Sequence, residues 1–352
     1  IIEMSWLECL LPFLLDYHSG ATIISLLESL FLLPLLICAF LFLILCLRII
    51  IYYVIFSRRP GRNKVYDLSD KLYVLTGGTS GIGRQLAREI VSRNGSLILL
   101  ARNPLKASQV RRELREEYAT STGHIVIVFC DLENLSSVRH AADLVMQTYE
   151  RIDGLICNAG IGSRAKCEMT IDGFETVIQT NCLGHALLTT VLSWGLQLTN
   201  GVVINVSSHV SHATIPFNYA EPFFLDEAYD GYQSYCRSKL MVNTFTMQAA
   251  ETNPEVCYLA VYPGIVFTPI GDQFVTSRGT KPALLPFILP IARFMFWLVG
   301  RTVKQGAETI WPLLVDPELR PASGSTIGLR FERIAGHCLS KRMDMDDEEA
   351  EA

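Results

Sequence analysis

Several absences narrow the reading before any motif is considered. Basic residues do not exceed acidic ones: 30 lysines and arginines stand against 35 aspartates and glutamates, a formal charge of −5. That balance gives no electrostatic footing on a phosphate backbone, so nucleic-acid binding is excluded as a function class. The ten cysteines are scattered singly, never at metal-ligand spacing, and Cys130 and Cys157 sit inside apolar runs. Thiols placed this way fit reduced, packed side chains in the cytosol and offer neither a zinc site nor a disulfide framework. No internal repeat is present, and no Pro/Gly-rich hinge cuts the region 65–338 in two.

Charge is also missing from one long stretch. Ser29–Leu47 holds no charged residue, and after Arg48 the apolar run resumes as Ile49–Phe56. At ~1.5 Å per residue, the uncharged part alone approaches the ~30 Å of a bilayer's hydrocarbon core. The start is acidic (Glu3, Glu8, Asp16) and no small-residue cleavage site follows, which is unlike a cleaved signal peptide. The sequence therefore predicts a membrane anchor over 1–57, with a transmembrane helix at about 29–56. A basic linker, 58–70, carries Arg58, Arg59, Arg62 and Lys64. By the positive-inside rule everything after Phe56 lies in the cytosol. The tail 339–352, acidic from Asp344 to Glu351, reads as a solvated end.

From Lys71 onward, short apolar runs alternate with helical periodicity. Leu72–Leu75, Ser96–Leu100, Ile125–Phe129, Gly154–Cys157, Val202–Val206 and Val256–Val261 read as strands. Between them, Ile82–Ser92, Pro104–Tyr118 and Ser136–Glu150 carry apolar residues at three-and-four spacing, with charge on the opposite face. Strands alternating with helices predict an α/β fold with a parallel sheet covered on both sides. One doubly wound domain over 71–338 is the economical reading.

The chemistry is carried by segments at strand ends. Thr76-Gly77-Gly78-Thr79-Ser80-Gly81-Ile82-Gly83 follows the first strand and opens a helix. A glycine turn there lets the backbone approach a pyrophosphate, while the helix N-terminus supplies unpaired N–H groups and a positive dipole end. The second strand ends at Ala101-Arg102, where an NAD enzyme usually places a carboxylate for the ribose hydroxyls. A guanidinium suits the 2′-phosphate of NADP, so NADP(H) is expected over NAD(H). Asp131-Leu132 follows the third strand, where a carboxylate can accept from an adenine amino group. Asn158-Ala159-Gly160 follows the fourth, and its small residues let a loop lie flat against a cofactor.

Tyr235 and Lys239 lie four apart at the start of an apolar helix, which puts them on one face. A phenol with an ordinary pKa near ~10 is a poor base at neutral pH. A neighbouring ammonium, added to the positive nicotinamide ring of an oxidised cofactor, favours the phenolate. Lys239 and the bound cofactor together are therefore expected to lower the Tyr235 pKa and make it a proton-transferring group. Ser207 and Ser208 end the fifth strand, where a hydroxyl can bond a reacting oxygen. Asn181 interrupts an otherwise apolar helix from Val177 to Leu192, which suits a kink or polar bridge. The aromatic segment 209–233, with Phe217, Tyr219, Phe223, Phe224 and Tyr229, is expected to wall an apolar pocket. Leu284–Val299 is apolar but broken by Pro286, Pro290 and Arg293, and reads as a lid or interfacial segment.

Together these segments resemble the short-chain dehydrogenase/reductase family, over about Lys71 to Phe331. The likeness rests on the Thr-Gly-x-x-x-Gly-Ile-Gly loop, Asn-Ala-Gly, a serine on the fifth strand, Tyr-x-x-x-Lys and a Pro-Gly after the sixth. It implies a Rossmann-type domain and hydride transfer between an alcohol or carbonyl and a nicotinamide cofactor, with no metal. By the same resemblance Tyr235 is the acid/base and Ser208, the second of its pair, polarises the substrate oxygen. Lys239 binds the nicotinamide ribose, Asn181 holds a proton-relay water, and Pro263, Gly264 and Thr268 position the carboxamide. The last strand would be Gly324–Phe331.

Asn181–Thr189 and Arg301–Ala307 further resemble retinol dehydrogenases. That branch implies a lipophilic small-molecule substrate (retinoid, steroid or isoprenoid), a membrane location at the endoplasmic reticulum or lipid droplet, and a homodimer. Cys157 departs from the asparagine many relatives have there. An idle NADP-binding scaffold or sensor has no chemical need for Tyr235, Lys239, Ser208 and Asn181 together. A sugar-nucleotide epimerase shares the Tyr-x-x-x-Lys logic but needs a larger C-terminal substrate domain.

Overall fold

The computed structural model describes residues 34–50, 65–212, 229–266, 270, 289–291, 293–294, 300–321, 323–327 and 333–335. The predicted apolar runs form strands: β1 Leu72–Thr76, β2 Ser96–Ala101, β3 Ile125–Phe129, β4 Gly154–Cys157, β5 Val202–Val206 and β6 Cys257–Val261. They join β7 Ser325–Ile327 and β8 Arg333–Ala335 in one sheet of order β3-β2-β1-β4-β5-β6-β7-β8. The pairs from β3 through β7 are parallel, and only β8, on β7, runs antiparallel. Of the expected last strand, Gly324–Phe331, Ser325–Ile327 is a strand and 328–331 lie outside the described residues; β8 was not foreseen.

Helices cover both faces. They are α1 Gly81–Val91, α2 Pro104–Glu117, α3 Leu135–Thr148, α4 Gly184–Gln197, α5 Gly231–Thr252 and α6 Val303–Val315. The sheet is buried on both sides, so its strands need apolar residues at every position, and alternate side chains serve different cores. Leu97 and Leu99 of β2 pack with Leu86 and Ile90 of α1, Leu114 of α2 and Ile310 of α6. Ile98 and Leu100 face the other way, towards Val138 of α3 and Leu188 and Leu192 of α4. Each such leucine contributes roughly 1.5–3 kcal/mol by leaving water.

Side-chain caps fix several helix starts. Asn103 accepts from Lys106 N–H at α2, and Asn134 accepts from Ser137 N–H at α3. Thr302 and Gln305 cap α6 reciprocally. Asp230 accepts from the N–H groups of Tyr232 and Gln233, so α5 begins at Gly231, four residues before Tyr235 rather than at it. The order of strands reverses between β1 and β4, which opens a crevice at their carboxyl ends.

The chain divides into two units, Ile1–Val54 and Ile55–Ala352. In the first, residues 34–50 are helical and mostly exposed. At ~1.5 Å per residue the described part spans roughly 26 Å. Among the described residues no helix is long and apolar enough to cross a membrane. The predicted transmembrane helix at 29–56 is corrected to this extent: its centre is helical, and its ends lie outside the described residues. The acidic tail also lies outside them.

Candidate active site

The crevice at the β1/β4 switch point is a cavity of about 920 Å³. It runs from the glycine loop past the ends of β2 and β3 to the ends of β5 and β6, a size and position suited to a dinucleotide with room for a substrate. Its floor is built by close backbone approach. Gly77 adopts φ +68, and a Cβ on Gly83 would lie 2.4 Å from the Gly77 carbonyl oxygen and 2.5 Å from Asn158 Nδ2. Ser80, at the α1 N-cap, makes no side-chain capping bond, which leaves the first N–H groups of α1 without a capping side chain. Gly77, Ser80, Gly81 and Ile82 line the cavity beside this end. A backbone cradle that tolerates no Cβ, opening onto a helix N-terminus, fits a pyrophosphate.

The loop is tied to the end of β4. Thr76 Oγ1 accepts from the N–H groups of Asn158 and Ala159, each at 3.0 Å, and Asn158 Nδ2 donates to the Thr76 and Gly77 carbonyls. Gly160 packs against Asn181, because a Cβ there would meet Asn181 Oδ1 at 3.1 Å. Asp131, Leu132 and Arg102 border the far end of the cavity. Asp131 Oδ1 accepts from Glu133 N–H at 3.1 Å, and Arg102 Nη1 donates to Glu133 Oε1 at 2.5 Å.

At the other end, Ser208, Tyr235 and Lys239 converge on the cavity wall. The Ser208 hydroxyl is placed to act on the Tyr235 phenol and favours its ionised form, while Ser207 Oγ donates to Asn243 Oδ1 at 2.6 Å. The two serines are thus distinguished by partner. Lys239 Nζ donates to the Val206 carbonyl at 2.8 Å and lies 5.8 Å from the centre of the Tyr235 ring.

The electrostatics differ from expectation. Burial pushes the Tyr235 phenol up to about 12, opposed by the Ser208 hydrogen bond. Burial likewise pushes the Lys239 ammonium down to about 8. Burial is the largest influence on both groups, and it disfavours the charged form of each.

Asn181 is buried in a π-helical turn, Gln179–Leu183, set between the helical turn Thr176–Ile178 and α4. Such turns gather at functional sites because they free backbone groups. Its Nδ2 donates to the Ile161 carbonyl and to Ser238 Oγ, both at 3.0 Å, and its Oδ1 accepts from Ile161 N–H at 2.9 Å. Both amide hydrogens are committed, so the side chain has no donor left for the relay water expected of it. The Asn181 carbonyl faces His185 Nδ1 at 3.1 Å.

Pro263 and Gly264 line the cavity, and Gly264 takes φ +90. Thr268 lies outside the described residues, as do Phe217, Tyr219, Phe223 and Phe224 and most of Leu284–Val299. Tyr229 is described and does not wall the cavity: its hydroxyl donates to the buried Glu175 at 2.9 Å. Sequence reasoning missed His185, Glu175 and Arg301. The buried Arg301 guanidinium, just ahead of α6, donates to the Pro263 carbonyl at 2.6 Å and so braces the cavity wall. Only a histidine inside an apolar helix gave any signal. Tyr232 and Tyr262, also unforeseen, line the cavity. Among the described residues no three His, Cys, Asp or Glu side chains cluster as metal ligands would.

The family model for short chain dehydrogenases matches residues 71–220, which hold the glycine loop and the end of β5. Human retinol dehydrogenase 13 is 31% identical over 257 residues, covering 72% of this chain and 75% of that protein. Human retinol dehydrogenase 12 is 30% identical over 262 residues, covering 73% and 77%. The chain is a short-chain dehydrogenase/reductase of the retinol-dehydrogenase-like branch. Members of this family bind a nicotinamide dinucleotide. The alcohol dehydrogenase of the archaeon Thermococcus sibiricus, solved with 5-hydroxy-NADP, superposes with a TM-score of 0.55 at 22% identity, covering 76% of this chain and 99% of that one. The 3-oxoacyl-[acyl-carrier protein] reductase of Brucella melitensis, solved with NAD, gives 0.54 at 21%, covering 74% and 95%. At these identities the structures establish the fold, and their two cofactors do not discriminate between NADP and NAD here.

Proposed function

We propose that this short-chain dehydrogenase/reductase interconverts an alcohol and a carbonyl on a lipophilic substrate of the retinoid, steroid or isoprenoid class, with NADP(H) as cofactor and Tyr235 as the proton-transferring group. The observation that carries the reading is the pairing of Tyr235 with Ser208 beside Lys239, in the same cavity as the glycine cradle. The cofactor supplies the hydride chemistry when bound. Gly77, Ser80, Gly81, Ile82 and Gly83 hold its pyrophosphate, Asp131 and Leu132 border its adenine, and Asn158, Ala159 and Gly160 back its plane. Pro263 and Gly264 flank its carboxamide, a role extended to Thr268.

For carbonyl reduction, Ser208 Oγ donates a hydrogen bond to the substrate oxygen and the Tyr235 hydroxyl gives it the proton. Lys239 binds the nicotinamide ribose and supplies positive charge as Tyr235 loses its proton. With the Asn181 amide engaged, a relay water would bind at its backbone carbonyl. The convergence of these groups favours an enzyme over an idle scaffold.

The names of the retinol dehydrogenase relatives support a retinoid-like substrate. Tyr232, Tyr262 and Ile265, which line the cavity, suit an apolar chain. Residues 1–57 serve as a membrane anchor and 58–70 as a linker. The catalytic domain, 71–338, sits at the cytosolic face of the endoplasmic reticulum or a lipid droplet, with a homodimer as the assembly and 339–352 as a free tail. Exposed apolar side chains on helix 34–50, including Leu36, Phe40 and Phe42, support membrane contact.

Membranes bearing the full chain, given NADPH or NADH with retinal, steroid ketones or polyprenals, test the proposal. Reduction of at least one carbonyl, preferentially with NADPH, is expected, and Arg102→Asp should move preference towards NADH. An Arg102→Asp enzyme with unchanged preference removes the cofactor assignment; no turnover of any carbonyl removes the enzyme.

A further inference from the structure

The cofactor assignment rests on Arg102, yet Arg102 is already paired. Its Nη1 donates to Glu133 Oε1 at 2.5 Å and lies 3.9 Å from Asp131 Oδ1. Arg102, Lys106, Asp131 and Glu133 all line the cavity, two cations and two carboxylates whose formal charges cancel. Glu133 is held in place by its backbone. It sits in a turn closed by Asn134 N–H to the Asp131 carbonyl at 3.1 Å, and its own N–H donates to Asp131 Oδ1. Asp131 N–H in turn donates to Ser137 Oγ at 3.0 Å, at the start of α3. The Arg102 side chain, 59% exposed, is the freer partner, and the Glu133 side chain is 28% exposed.

We propose that Glu133 is a specificity-determining residue that competes with the cofactor's 2′-phosphate for the Arg102 guanidinium and so weakens discrimination in favour of NADP(H). This rests on the reading that Arg102 receives that phosphate. A phosphate monoester of charge near −2 entering this site must draw the guanidinium away from Glu133 or share it, and it meets a fixed like charge either way. A dinucleotide with a free 2′-hydroxyl meets neither cost, because a carboxylate can accept from a ribose hydroxyl. The neutral mouth therefore narrows the gap between the two cofactors. An exposed ion pair shifts an equilibrium only a few-fold, which sets the scale at about 2–5-fold.

Equilibrium binding of NADPH and of NADH to the detergent-solubilised full chain, read by nucleotide fluorescence, tests this without turnover. Wild type, Glu133→Gln, Arg102→Ala and the double variant form a cycle. Glu133→Gln should tighten NADPH about 2–5-fold and change NADH less than about 1.5-fold, with the NADPH gain falling below about 1.5-fold in the Arg102→Ala background. Unchanged or weaker NADPH binding by Glu133→Gln, an equal gain for NADH, or the full gain without Arg102 would each overturn the role of Glu133. Should Arg102→Ala alone bind NADPH as wild type does, the phosphate assignment itself fails, a separate result from failure of Glu133→Gln while Arg102→Ala is weakened.

Discussion

His185 Nε2 lies 2.9 Å from Thr76 Oγ1, beneath the glycine loop, and the direction of that bond follows from its neighbours. Thr76 Oγ1 already accepts from two backbone N–H groups, those of Asn158 and Ala159. His185 Nδ1 faces the Asn181 carbonyl, which can only accept. The imidazole is therefore neutral with its hydrogen on Nδ1, and Nε2 accepts from the threonine hydroxyl. One ring thus joins the loop at β1 to the π-helical turn that holds Asn181.

Protonating that ring would place a second N–H against an oxygen already filled. Burial, reinforced by the Lys239 charge and opposed by the Asn181 carbonyl, lowers the His185 pKa from 6.5 to about 4. Between those values the unfolded chain binds a proton that the folded chain refuses. This contribution to stability is complete above pH 6.5 and is lost as pH falls towards 4, with a slope of ~1.4 kcal/mol per unit and a total near ~3 kcal/mol. Urea denaturation of wild type and His185→Gln across pH 4–7 measures it. The difference in unfolding free energy should move against wild type as the solution becomes more acidic, and a difference independent of pH would refute the neutral imidazole.

Tyr235→Phe removes the proton donor and the Ser208 bond while keeping the ring. Carbonyl reduction should fall about 10²–10⁴-fold, the usual scale for a lost general acid, with NADPH affinity held within about twofold. Ser208→Ala should lower turnover in the same sense, whereas Ser207→Ala, on the Asn243 side, should lower it less. Equal losses from the two serines would erase the distinction that their partners draw.

The Lys239 ammonium is held near a pKa of about 8, so its charge is present below that pH and lost above it. The plot of kcat/KM for reduction, which reports ionisations of the free enzyme, should fall above pH 8 by up to about tenfold per unit. The Tyr235 phenol, at about 12, remains protonated throughout the range. A flat profile from pH 7 to 10 would mean that the lysine charge contributes nothing to the step.

Gly83→Ala drives a methyl group to 2.4 Å from the Gly77 carbonyl oxygen, a contact that backbone on both sides prevents from relaxing. Overpacking of this kind costs about 1–3 kcal/mol and distorts the phosphate cradle. Cofactor affinity should drop by more than about tenfold, with a lowered Tm. Gly173→Ala serves as control: it has φ +82 but nothing within 4 Å of its Cβ, so it should lower Tm and leave cofactor binding alone.

Much of the sheet could be read from composition, because β2 and β5 are buried on both faces and nearly every residue in them is apolar. Tyr235 and Lys239 were legible for a similar reason: four residues along a helix always share a face. Other features left no local trace. The π-helical turn at Asn181 depends on Ile161 and Ser238, 20 and 57 residues away in sequence. β8 was not foreseen, and Tyr229 reads as a pocket aromatic until its bond to Glu175 is seen.

Local chemistry alone determined the class of protein: a glycine turn where strand meets helix, a tyrosine and lysine one turn apart, and apolar runs that can end only in a covered parallel sheet. Such properties depend on backbone geometry over a handful of residues, so they survive without knowledge of the rest. Tertiary structure decided which serine meets Tyr235, that the phenol's pKa moves up, and that Arg102 arrives already paired with a carboxylate 31 residues on. Desolvation and charge pairing are sums over everything packed around a group, and those neighbours are assembled only when the chain has folded.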